Sequence, residues 1–162
     1  MDRTSDHART ADMLDFQDGR LGIEMLDDAG IRELFLAGPR IAVIGASNNP
    51  IRAAHGVLIS LRQAGYDVVP VNPREVIVDG LPCYPTLSAA VAASGGVDIV
   101  DVFRRYEACP GHAREAVAVG ARCLWLQLGL VNREAGMIAA TAGLAVVMNR
   151  CTVIEHDRLI RT

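Results

Sequence analysis

The chain has 162 residues, 51% of them hydrophobic, and a formal net charge of −3. This composition excludes a disordered chain, no apolar run reaches the length that spans a bilayer, and the length suits one domain with a single core. The charge is uneven: residues 1–38 carry nine acids against four Arg, a net of −5, while residues 39–162 carry ten acids against twelve Arg, a net of +2, with no Lys anywhere.

Residues 1–20 hold five Asp and few large apolar groups, which predicts a mobile acidic tail. A helix is expected within residues 21–38. Ile31, Leu34 and Phe35 fall at helical spacing after Asp27-Asp28, and Gly38-Pro39 ends the pattern. From residue 39 to 162 the chain alternates. Ile41–Ile44 is a short apolar run that ends in Gly45, as a buried strand does. Ala54, Val57, Leu58 and Leu61 mark one helical face, which Gly65 stops. Val68–Val71 is a second strand, closed by Asn72-Pro73. Pro70 within it points to a strand end or a special backbone position.

Residues 76–84 are expected to add one short edge strand, because Gly80 and Pro82 limit its length. Thr86 is placed to cap a helix through Leu87, Ala90 and Val91, closed by Gly95-Gly96. Val97–Phe103 is the third main strand. Pro110 suits a helix N1 position, and Gly120 the stop. Cys123–Leu128 is the fourth strand, Asn132 caps a helix that ends at Gly143, and Leu144–Met148 is the fifth strand. Near-continuous apolar strands alternating with helices predict an α/β, Rossmann-like three-layer fold. Its mostly parallel sheet has five main strands plus the short edge strand, with an added N-terminal helix.

In such a sheet ligands bind beyond the carboxyl ends of the strands, at the point where strand order reverses. Those ends are residues 45–52, 72–74, 103–105, 127–129 and 149–151. Four of the five contain Arg. Arg is a bidentate phosphate donor, and the first loop leads into a helix start whose amides favour anions. A phosphorylated ligand follows. The first loop lacks G-x-G-x-x-G, and the second strand ends in Asn72-Pro73-Arg74 rather than an acid, which weighs against NAD. Arg74 keeps an NADP-linked oxidoreductase as an alternative. A P-loop cannot exist without Lys.

The polar N-terminus is unlike a signal peptide, and four Cys without C-x-x-C spacing give no disulfide framework. A cytoplasmic protein with reduced thiols is the expectation. Nucleic acid is not an expected partner: the totals offer no strongly basic face, and no Arg run exceeds Arg104-Arg105. His55, His112 and His156 show no metal-ligand spacing to Cys or acid. Cys83, Cys109, Cys123 and Cys151 read as small buried residues rather than nucleophiles. Cys151, at a strand end, is the thiol placed to meet another thiol. Ser47 has no His or acid within its motif to act as a base.

Five segments carry a family resemblance: IAVIGASNNPIR at 41–52, VPVNP at 69–73, DVFRR at 101–105, LWLQLG at 124–129 and NRC at 149–151. In this order, each at a strand end, they resemble the stand-alone CoA-binding proteins. These are similar to the CoA-binding domain of the succinyl-CoA synthetase alpha subunit, and the resemblance covers roughly residues 35–160. It implies coenzyme A or an acyl-CoA as the ligand, bound without catalysis, since the partner domains that do chemistry in the synthetases are missing. It also implies a site. Gly45, Ala46, Ser47, Asn48, Asn49 and Pro50 hold the diphosphate, and Arg52 reaches a phosphate at the helix start. Asn72, Pro73 and Arg74 border the adenine and its ribose, with Arg74 toward the 3′-phosphate. Phe103, Arg104 and Arg105 close the third strand end, with Phe103 and Arg104 along the adenine or pantetheine side, and Gln127 approaches the pantetheine arm. The chain departs from the pattern at Ala53-Ala54-His55, where the family often has a Ser-aromatic pair, and at Asn149, where Asp is usual. The other alternative is an interaction protein whose acidic N-terminal segment docks on a partner enzyme or, as a homodimer, on a second copy.

Overall fold

The computed structural model describes residues 3–161. Five parallel strands form the central sheet: β1 (Arg40–Ile44), β2 (Asp67–Val71), β5 (Ile99–Val102), β6 (Cys123–Leu126) and β7 (Ala145–Val147), in the order β2-β1-β5-β6-β7. The order reverses between β1 and β5, so that pair frames the crevice. The four residues of β5 and of β6 are all buried, as a sheet covered on both faces requires.

The helices are α1 (Arg3–Gln17), α2 (Asp28–Leu36), α3 (Ala53–Gln63), α4 (Leu87–Ser94), α5 (Cys109–Ala118), α6 (Arg133–Thr141) and α7 (Thr152–Leu159). One face of the sheet packs against α4, α5 and α6 through Leu87, Ala90, Ala113, Ala116, Ala135 and Ala139. The other face packs against α2 and α3 through Ile31, Phe35, Leu58 and Leu61, with Trp125 fully buried among them. The Trp125 Nε1–H donates to the Arg150 carbonyl at 2.8 Å, so the indole costs no buried polar group. The sequence-read caps form: Thr86 accepts from the Ala89 N–H at 3.1 Å and Asn132 from the Ala135 N–H at 2.8 Å. Pro70 is tolerated because β2 lies at the sheet edge.

Four details differ from the sequence expectation. Residues 76–84 add no full edge strand; they fold as an antiparallel ribbon of β3 (Ile77–Val78) and β4 (Leu81–Pro82), tied to β2 by a single bridge at Val71 and Tyr84. The helix expected within 21–38 starts only at Asp28, where the Asp27 carboxylate accepts from the Gly30 N–H. Ahead of it the Leu26 N–H donates to the Val146 carbonyl and shields the β7 edge. The sequence reading places no helix after residues 149–151, where α7 forms over Thr152–Leu159. The fourth concerns the expected mobile tail, whose residues 3–17 are the docked helix α1.

Helix α1 is held chiefly by polar groups. Asp12, 8% exposed, accepts from the Tyr106 hydroxyl at 2.7 Å and the Arg133 N–H at 2.9 Å. Arg133 also reaches Asp15 and the Leu21 carbonyl, and Met13 and Phe16 pack on the core. Replacing Asp12 with Ala leaves the Tyr106 hydroxyl and the first amide of α6 unpaired. Urea denaturation of Asp12→Ala should show a loss of about 2–3 kcal/mol, with new tryptic cleavage at Arg9.

Candidate functional site

The loop after β1 turns sharply at Gly45. Its φ is +90°, and a Cβ there would lie 2.6 Å from the Phe103 carbonyl oxygen, so only glycine lets the ends of β1 and β5 approach this closely. Beyond Gly45 the chain organises itself. Ser47 Oγ accepts from the Asn49 N–H, and Asn49 Oδ1 accepts from the Ile51 N–H, both at 3.0 Å. Ser47 is thus spent on the loop and does not cap α3. Arg52 occupies the cap position with no side-chain hydrogen bond, so the first-turn amides of α3 stay directed at the crevice.

The crevice is a cleft of about 430 Å³. Nine of the fourteen expected residues line it: Gly45, Ser47, Asn49, Arg52, Asn72, Arg74, Phe103, Arg104 and Gln127. Ala53, Ala54 and Glu75 line it too and were missed by sequence reasoning. The two alanines sit at the α3 start, where the family pattern already departs.

Five expected residues stand outside the cleft. Ala46 is buried, and its carbonyl accepts from Asn72 Nδ2 at 2.8 Å. Asn48 turns away to the ribbon, donating to Glu75 Oε2 and the Ile77 carbonyl, each at 2.7 Å. Pro50 is exposed. Pro73 lines a neighbouring cavity. Arg105 precedes the short 3-10 turn at Tyr106–Ala108 and points elsewhere. These departures share a cause: consecutive residues of a tight loop cannot all face one side.

Charge distinguishes the cleft. Nine arginines elsewhere, such as Arg40 with Asp67 and Arg62 with Asp79, form ion pairs. Among the described residues, Arg32, Arg105 and Arg122 form none at scattered positions, whereas Arg52, Arg74 and Arg104, also without an ion pair, gather in the one cleft. Glu75 is the acid within it, and the Asn48 amide already binds its carboxylate. Three uncommitted guanidinium groups beside an open helix start make a site for several anionic oxygens.

At the far strand ends, Asn149 adopts φ +57°, and its Oδ1 accepts from the Gly129 N–H at 2.8 Å. Asn tolerates this left-handed conformation, so the residue serves to join the β6 and β7 ends. Burial pushes the Cys83, Cys109 and Cys123 thiols up, Cys109 to about 12, which leaves them without thiolate at neutral pH. Cys151 is partly exposed.

Residues 39–157 match a family described as a CoA binding domain. The uncharacterized protein YneT of Bacillus subtilis is 38% identical over 128 residues, which are 79% of this chain and 93% of that protein. A hypothetical protein of Pyrococcus horikoshii superposes with a TM-score of 0.79 at 38% identity, covering 83% of this chain and 93% of its own. A Thermus thermophilus structure does so with a TM-score of 0.76 at 37% identity, covering 83% and 99%.

Proposed function

The chain belongs to the CoA-binding domain family, and from that premise we propose that its cleft binds coenzyme A or an acyl-CoA without transforming it. The observation that carries this reading is the trio Arg52, Arg74 and Arg104, gathered in one cleft with no ion pair among the described residues. CoA carries a diphosphate and a 3′-phosphate, which suits three guanidinium groups and a helix start. In this reading the diphosphate lies against the Gly45–Asn49 loop and the first turn of α3, beside Arg52. Arg74 takes the 3′-phosphate, Arg104 closes the wall by Phe103, and Gln127 meets the pantetheine arm.

The chemistry at the loop supports binding over catalysis. The Ser47 hydroxyl is committed to the Asn49 N–H, and the His55 ring donates through Nδ1 to the Ser47 carbonyl at 2.9 Å instead of activating the hydroxyl. A nucleophile without a base is a poor catalyst.

Thermal unfolding tests the reading. CoA at about a hundred times its Kd should stabilise the chain by about 2.7 kcal/mol, which raises Tm by about 5–10 °C for a domain of this size, and NADPH should not. No shift with either CoA or acetyl-CoA overturns the reading. A shift with NADPH alone supports an NADP-linked reductase in its place.

A further inference from the structure

A second cavity of about 160 Å³ adjoins the cleft on the α4–α5 side of the sheet. The two share Gly45 and Arg104. Val71, Pro73, Pro85 and Leu87 give the second cavity apolar walls, and His112 and Glu115 supply its polar side. It is large enough for a flat two-ring heterocycle and too small for a whole nucleotide.

His112 and Glu115 lie three residues apart on α5, so they share a helix face. His112 Nδ1 is 3.1 Å from Glu115 Oε1, and Glu115 Oε2 accepts from the Leu87 N–H at 3.3 Å. A carboxylate only accepts, so the hydrogen between His112 and Glu115 sits on Nδ1. Burial of the imidazole, aided by the nearby Arg104, holds its pKa below the usual range against the pull of Glu115. The ring is therefore neutral at pH 7, with its lone pair on Nε2. Nε2 has no hydrogen-bond partner among the described residues. A ligand group that meets it must donate.

We propose that this second cavity holds a purine base bearing an exocyclic amine, and that His112, oriented by Glu115, selects that amine through Nε2. The inference rests on the CoA reading of the cleft and deepens it, because the base of CoA is adenine and its 6-amine is a donor. Contiguity through Gly45 and Arg104 lets one ligand place phosphates in the cleft and its base next door. The prolines and Leu87 offer apolar faces to the ring, and the Arg104 guanidinium at the junction can stack on it. A 6-oxo base would set one lone pair against another, and a site built around one hydrogen bond rejects the analogue that cannot make it.

The test is calorimetric titration at pH 7 with CoA and with its deaminated form, which carries hypoxanthine. The native chain should prefer CoA by roughly tenfold or more. Glu115→Gln is the decisive variant. Its amide oxygen must still accept from the Leu87 N–H, so its NH₂ faces His112 Nδ1. That forces the ring hydrogen onto Nε2 and turns the acceptor into a donor. Glu115→Gln should therefore bind the hypoxanthine form more tightly than CoA, and His112→Ala should bind the two alike. A variant that merely loosened the fold would weaken both ligands together and leave their ratio unchanged. If the native chain binds both forms equally, or Glu115→Gln keeps the native preference, the base-reading role fails while the CoA reading stands. If the native chain binds neither form, the CoA reading fails and this inference with it.

Discussion

Asp101→Asn is expected to be more stable than the native chain above pH 8, by roughly 5 kcal/mol relative to their difference at pH 4. Asp101 lies on β5 between Val43 and Trp125 and is fully buried. The Thr152 hydroxyl donates to Oδ2 at 2.9 Å, while Oδ1 has no partner among the described residues. Burial pushes the carboxyl up to about 8 from an ordinary 3.8, against the partial opposition of Thr152. Below pH 3.8 the folded and unfolded chains both keep this proton, so the group is neutral in its effect. Between 3.8 and 8 the unfolded chain releases the proton and the native chain does not, so native stability falls as pH rises. Above 8 both forms are ionised and the loss is complete. Asn does not titrate, and its carbonyl still accepts from Thr152. Urea unfolding of both proteins from pH 4 to 9 measures this. A constant difference between them across that range would mean that Asp101 is not buried as a neutral acid.

The second large effect falls on binding. Arg52→Ala and Arg74→Ala should each weaken CoA by about 1.5–3 kcal/mol, the worth of a hydrogen bond to a charged group, or about 10–150-fold. The double variant should lose about 10²–10⁴-fold if the two act independently. Both side chains are exposed and form no ion pair, so Tm without ligand should stay within about 2 °C of the native value. Arg114→Ala, which breaks an exposed pair with Glu134 outside the cleft, should leave CoA affinity unchanged. Equal losses at Arg52, Arg74 and Arg114 would place the phosphates elsewhere.

Much of this architecture is written in contiguous residues. The apolar runs at 41–44 and 123–126, and 99–102 broken only by Asp101, are short and bounded by turn residues, as buried strands are. The spacing of Ala54, Val57, Leu58 and Leu61 defines a helix face, and all four are buried. Thr86 and Asn132 cap because their oxygens reach amides three residues on. Once strands and helices alternate, a parallel sheet follows, and its strand ends locate the cleft. Nine cleft residues were legible for that reason.

Tertiary structure alone decided the rest, because the partners are far apart in sequence. Asp12 belongs to an acidic, polar stretch until Tyr106 and Arg133, 94 and 121 residues away, come to it and turn a tail into a docked helix. His112 and Glu115 are two polar residues on a helix until the Leu87 N–H fixes the carboxylate and so the tautomer of the imidazole. Tight loops set the remaining limit, since Asn48 and Asn49 are neighbours in sequence yet face the ribbon and the cleft. Periodicity and caps are local physics, so the sequence by itself determined the layers and the end of the sheet where the cleft opens. Charge pairing and side-chain direction depend on distance through space, and only the folded chain decided which described arginines gather in the cleft without an ion pair and that His112 lines the cavity beside it.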